Sequence, residues 1–236
     1  MLLIVWRHVL RALFLALLGW VMQVHAQDSK NLAPGFSTRP AASKLVVVPA
    51  DLELFSISGG GVMEPKADWT EAAGRHFKTA LDSNKQLLGA SVVRISEQDL
   101  DELAEINALH GAVAQAIFIH HMLGSVKLPT KNDRLDWSLG DAVKPLKAKT
   151  GADYALFTWI RDSYASAERK AAMFAMALLG VGIAGGAQVG YASLVDLNTG
   201  RVVWFNDLRR GSGDLREAKE ALETVEALLK GFPVAR

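Results

Sequence analysis

Residues 189–205 read VGYASLVDLNTGRVVWF, and this stretch decides the class of fold. Val189 to Leu197 and Val202 to Phe205 are rich in β-branched and aromatic residues. Asn198-Thr199-Gly200 between them is a short turn in which Gly200 suits a left-handed backbone. The pattern predicts an antiparallel hairpin near the C-terminus. Just upstream, Tyr154, Leu156, Thr158 and Ile160 alternate with Ala155, Phe157 and Trp159, the two-residue period of a strand. Downstream, Leu215, Ala218, Leu222, Val225 and Leu229 line one face of an amphipathic helix over Asp214 to Lys230, stopped by Gly231 and Pro233.

Toward the N-terminus, Lys44 to Val48 (KLVVV) predicts a buried strand. Leu52 to Ser58 predicts a second strand or an irregular loop, ahead of Gly59-Gly60-Gly61. A helix is expected from Asp68, its N-cap, with Glu71 three residues on; Trp69, Ala73, Phe77, Ala80, Leu81 and Leu87 give its buried face, and Gly89 stops it. Ser91 to Ile95 is the next strand. Ser96 opens a long helix with the stripe Leu103, Ile106, Val113, Ile117 and Leu123, ended by Gly124 and Pro129. Leu139 to Ala148 is a weaker helix interrupted by Pro145. This order predicts an α/β (α+β) fold, a mixed sheet with a C-terminal antiparallel hairpin, covered by helices. The chain divides into a signal peptide at 1–26, a flexible arm at 27–43 and a single α/β domain at 44–236, with an apolar, glycine-rich segment at 171–190.

Composition narrows the function. Of 236 residues, 50% are hydrophobic, which argues against disorder, and 26 basic residues against 25 acidic ones argue against a polybasic nucleic-acid binder. The absence of cysteine excludes a disulfide scaffold, a thiolate zinc site, a cysteine nucleophile and a lipid-modified N-terminal cysteine. Arg7 and Arg11 precede the apolar run Ala12 to Met22, and Val24-His25-Ala26 is a small-x-small cleavage pattern ahead of Gln27. These parts describe a secretory signal peptide, hence a periplasmic protein. An uncleaved N-terminal anchor is the alternative, because Met1 to Trp6 is apolar ahead of the first arginine.

Between Lys170 and Asp196 there is no charged residue: AAMFAMALLGVGIAGGAQVGYASLV. The first half suits a helix and the second holds Gly180, Gly182, Gly185, Gly186 and Gly190. A short buried helix, a glycine hinge and the start of a strand is the favoured reading. A membrane or oligomer contact surface is the alternative. Gly180 to Gly185 matches G-x-G-x-x-G but follows a helical pattern and precedes a strand, the reverse of a dinucleotide fingerprint.

No catalytic, cofactor-binding or metal-binding residue is assigned. His110, His120 and His121 share one predicted helix, but ten helical residues separate the first two by about 15 Å, too far to share an ion. They read, with His76, as core or surface histidines. Gly59-Gly60-Gly61 lacks the Gly-Lys-Ser/Thr of a phosphate loop and reads as a flexible turn. Glu97 with Asp101, and Asp101 with Glu105, read as a solvated helix face, and Trp159 and Trp204 as core.

Gly151-Ala152-Asp153-Tyr154-Ala155-Leu156 begins a strand, and Asp196 to Trp204 forms a D-x-x-T-G-x-x-x-W turn followed by the terminal helix. In this the chain resembles the small α/β domain of curli-secretion (CsgG-type) lipoproteins, of penicillin-binding-protein activator lipoproteins, and of the TolB amino-terminal domain. The resemblance implies a bacterial cell-envelope protein of non-enzymatic type that binds or scaffolds envelope proteins. A second copy of the chain is an alternative partner, and membrane contact would run through Ala171 to Gly190. No cofactor, nucleotide or nucleic acid is implied. The alternatives are a membrane-associated oligomeric assembly or secretion component using 171–190, and an exported hydrolase with no recognisable motif.

Overall fold

The longest strand, Tyr154–Ala165, organises the sheet. The structure is a computed structural model, and it describes residues 29–236. The signal-peptide expectation at 1–26 lies outside the described residues. Seven strands follow in chain order: β1 Leu45–Val47, β2 Asp51–Ile57, β3 Met63–Pro65, β4 Val92–Arg94, β5 Tyr154–Ala165, β6 Gln188–Asp196 and β7 Val202–Arg210. The helices are α1 Ala67–Ser83, α2 Lys85–Leu88, α3 Glu97–Asp101, α4 Ala104–Ile117, α5 Lys144–Thr150, α6 Ala167–Leu178 and α7 Ala218–Leu228.

Along one edge β5 pairs antiparallel with β6, and β6 with β7. Along the other edge, β1 lies parallel to Tyr154–Leu156 and β2 lies parallel to Trp159–Ala165. The two meet at Pro49, which has no N–H to offer a ladder. β4 then adds parallel to β1, and β3 antiparallel to β2. The sheet is mixed, as the sequence predicted, and the C-terminal hairpin is in place. Its D-x-x-T-G motif is turn chemistry: the Asp196 carboxylate accepts from the Asn198 N–H at 2.8 Å and the Thr199 hydroxyl at 3.0 Å, and Gly200 has φ +73°.

Side-chain alternation gives the sheet two apolar faces. Leu156, Ile160, Leu194 and Trp204 pack under α1 and α7, while Ala155, Phe157, Tyr191 and Phe205 pack under α4 and α5. The core therefore lies in two layers, one on each side of the sheet.

Several local expectations shift. The first helix starts at Ala67, with no side-chain cap; the Thr70 hydroxyl instead accepts the Leu54 N–H at 2.9 Å and pins the helix to β2. Ser96 and Asp99 cap each other, but their helix is only Glu97–Asp101, and α4 runs into a π-helical turn at Phe118–Met122. α7 starts at Ala218 because the Leu215 N–H is taken by the Tyr164 hydroxyl at 2.8 Å.

The described part of the expected flexible arm, 29–43, lies along the body. Leu32 bridges Trp204, Asn31 exchanges hydrogen bonds with Phe205, and Ala33 is buried. This covers part of the open edge of β7, a row of peptide groups that would otherwise template aggregation. Arg39 anchors the far end of the arm at 1% exposure, donating to the carbonyls of Pro233 and Leu88. Polar composition and two prolines suggested a tether; four side chains with partners in the body decide otherwise.

Candidate functional site: an apolar end of the sheet

β5 leaves the sheet at Ala165, and Ser166 caps the next helix, its hydroxyl accepting from the Arg169 N–H at 3.1 Å. α6 has no buried residue. The expected short buried helix is thus a helix, but an exposed one. Phe174, Leu178 and Leu179 stand 70, 73 and 75% exposed, with Val181 also in water. From Ala171 to Ala187 every residue is Ala, Gly, Met, Phe, Leu, Val or Ile, so no face of the projection carries a polar side chain.

The return to the sheet is built with care. The Arg169 guanidinium donates to the Ala184 carbonyl at 3.1 Å, and the Ser163 hydroxyl bonds the backbone of Ala187 on both sides, at 3.0 and 3.1 Å. Gly186 passes so close to β5 that a Cβ would stand 2.0 Å from the Ser163 carbonyl oxygen. The exposed apolar helix is therefore held at a fixed base by specific contacts.

A second segment reaches the same end. Ile57 of β2 pairs with Ala165 of β5, so the β2–β3 turn lies beside the root of α6. Gly59 allows the close approach, since a Cβ there would touch the Glu168 Cβ at 3.3 Å. The triple glycine predicted as a flexible turn is this contact. Val62 and Met63 follow it, both exposed. Of the nine large apolar side chains exposed among the described residues, six lie at this end: Val62, Met63, Phe174, Leu178, Leu179 and Val181. Single exposed apolar residues are ordinary; a concentration at one pole marks a contact surface.

The remaining candidates sit elsewhere. His110 is buried, stacked on Phe157 at 3.9 Å, with Nε2 2.6 Å from the Ser193 hydroxyl. Burial pushes its pKa down to about 3, so the ring is neutral. Ser193 is wholly buried, and among the described residues no carboxylate bonds the imidazole, so the pair is a core hydrogen bond. His121 bonds the Lys30 carbonyl and His120 the Val126 carbonyl, each at 2.7 Å. Trp204 is fully buried, and the half-buried Trp159 stacks on Tyr191 with the Arg161 guanidinium 4.8 Å from its ring centre. Glu97, Asp101 and Glu105 are exposed on their helices.

A polar cluster that sequence reading missed lies under the root of α6. The buried Asp162 carboxylate accepts from the Tyr164 hydroxyl and the Gln188 amide, both at 2.5 Å. The Gln188 carbonyl takes the Arg210 guanidinium at 2.7 Å and the Thr224 hydroxyl at 3.1 Å. Burial raises the Asp162 pKa, while these donors work in the opposite direction. Arg216 stacks over Tyr164 at 3.9 Å and Trp69 at 4.5 Å. The cluster ties β5, β6, β7 and α7 together where the projection begins. A cleft of about 530 Å³ opens at the carboxyl ends of β1 and β4, between Phe77 of α1 and Ile95. Among the described residues no group of three or more His, Cys, Asp or Glu could hold a metal ion, and no helix is long and apolar enough to cross a membrane.

The architecture and the apolar pole define a mixed α/β domain with an exposed apolar helix at one end of its sheet. No protein-family profile and no curated protein matches the chain. Among solved structures it is similar to the PelC dodecamer from Paraburkholderia phytofirmans, at 14% identity and a TM-score of 0.38, covering 85% of this chain and 95% of that one. It is also similar to a lipoprotein from Neisseria meningitidis, at 13% identity and a TM-score of 0.34, covering 80% and 94%. The LpoB C-terminal domain from Salmonella enterica follows at 14% identity and a TM-score of 0.30, covering 75% and 87%. At these scores the likenesses support no reading of activity or partner.

Proposed function

We propose that this is an exported, non-enzymatic protein of the bacterial cell envelope that works by contact, docking through the apolar end built from α6, its return loop and the β2–β3 turn. The observation that carries the reading is the concentration of six exposed apolar side chains at that one pole. The sequence pattern at Arg7, Ala12 to Met22 and Val24 to Ala26 supports export to the envelope. Its partners on this reading are envelope proteins or a second copy of the chain.

In-cell photo-crosslinking tests the reading. A photoreactive residue in place of Phe174 or Leu178 is expected to give adducts with lipid or protein in the envelope. The same residue in place of Val126, which is exposed beside His120 after the π-helical turn, is the control. Equal and low yields at all three positions would sink the proposal.

A further inference from the structure

Resting on that contact reading, we infer that the occupant of the apolar end is a lipid bilayer, with α6 and its return loop buried in one leaflet. Three observations point to lipid over a protein surface. First, a helix that docks on a protein needs one apolar stripe and keeps a polar face toward water. After Lys170, α6 has no polar residue on any face, and its return through Leu179 to Ala187 has none either. Only a surrounding that is apolar on every side satisfies such an element.

Second, the projection has the length of a leaflet. The uncharged helical part, Ala171 to Leu178, is about 12 Å long at 1.5 Å per residue. Half of a hydrocarbon core is about 15 Å. The element can enter one leaflet but is too short to cross the hydrocarbon core. Gly180 turns the chain back at the tip, where it is deepest.

Third, charge appears where headgroups would lie. Glu168, Arg169 and Lys170 form the first turn of α6, and the Glu64–Lys66 ion pair follows Val62 and Met63 on the neighbouring hairpin. Five charged side chains at the root of an uncharged projection, three of them basic, match the boundary between acyl chains and an anionic headgroup layer. The hairpin places Val62 and Met63 beside that root, as a second and shallower contact.

The absence of native cysteine makes the test direct. Leu178→Cys and Val126→Cys, each in the full chain, are labelled with an environment-sensitive fluorophore and mixed with vesicles of phosphatidylethanolamine and phosphatidylglycerol. The label at 178 is expected to shift to the blue and to be quenched by nitroxides on the acyl chains; the label at 126 is not. Adding Phe174→Asp to Leu178→Cys is expected to weaken the response about tenfold or more, since it removes a large apolar side chain and puts a charge in its place. Phe174 is exposed, so this change leaves the folded body intact, checked by an unchanged urea midpoint. A label at 178 that stays in water with vesicles overturns the inference. If that label is instead shielded without lipid as the particle mass doubles, the occupant is a second copy; the lipid inference falls and the contact reading survives. If neither lipid nor crosslinking finds it covered, both fall.

Discussion

Arg39 shows how much one side chain decides. Its guanidinium is buried with no carboxylate partner among the described residues, donating to Pro233 and Leu88 and lying 5.1 Å over the Phe232 ring. Burial lowers its pKa, the direction expected for a cation paid only in carbonyl hydrogen bonds. Arg39→Met is expected to cost about 2–3 kcal/mol in urea unfolding, because it orphans buried carbonyls that had a charged donor. His110 sets a pH dependence. Its folded pKa, about 3, lies below the ordinary 6.5, so the unfolded chain binds the proton first. Stability supplied by neutral His110 is full above pH 6.5 and declines as pH falls toward 3. The double change His110→Phe with Ser193→Ala, which removes both members of the hydrogen bond, is expected to flatten that decline. An acid profile identical to that of the parent would show that other groups govern it. Neither residue's environment was legible in the sequence. Arg39 sits among prolines and small polar residues, and His110 gains its meaning from Ser193 and Phe157, which are distant in the chain.

At the scale of elements, strand and helix patterns were readable where one face is buried and the other wet. β5, β6 and β7, the hairpin turn and the apolar stripe of α7 follow from period and turn chemistry. The misses share a cause. The Thr70 hydroxyl is taken by the Leu54 N–H, the Leu215 N–H by the Tyr164 hydroxyl, and α4 ends in a π turn, so helix ends differ from those the sequence pattern suggested. α6 is the instructive case: a helical run was expected at the head of the charge-free segment, but its burial was not settled by composition. An apolar run looks the same whether a core or a bilayer is to cover it. The return of the projection gives a sharp test. Gly186→Ala puts a methyl 2.0 Å from a backbone oxygen and is expected to destabilise by about 2–4 kcal/mol, the range for forced overpacking and backbone strain. Gly182→Ala meets no atom within 4 Å and is expected to leave the urea midpoint within about 0.5 kcal/mol. Equal effects at the two positions would mean that the return loop is not held as described.

At the scale of the molecule, the sheet separates two roles. Its two faces are closed by helices, and one end is left apolar and uncovered. The N-terminal stretch is part of the closed body, since Asn31 to Ala33 lie on the free edge of β7. Removing residues up to Ser43 is expected to lower the thermal midpoint and to promote aggregation, seen as concentration-dependent light scattering. Phe174→Asp with Leu178→Asp is expected to do the opposite, raising solubility without moving the midpoint, because those side chains are exposed and belong to neither core layer. A truncated chain as soluble and as stable as the parent would return the 29–43 stretch to the status of a tether.

The sequence alone determined the mixed α/β class, the hairpin and the presence of an uncharged apolar stretch, because strand period, turn residues and charge are local properties of the chain. It also led to the expectation of a signal peptide at 1–26, ahead of the described residues. Only the tertiary structure decided that the arm packs, that Arg39, His110 and Asp162 are buried among partners, and that Val62 and Met63 share an end with α6. Those facts depend on which strands become neighbours. The parallel pairing of β2 with the second half of β5 brings residues about a hundred positions apart to one pole, and no local pattern encodes that distance.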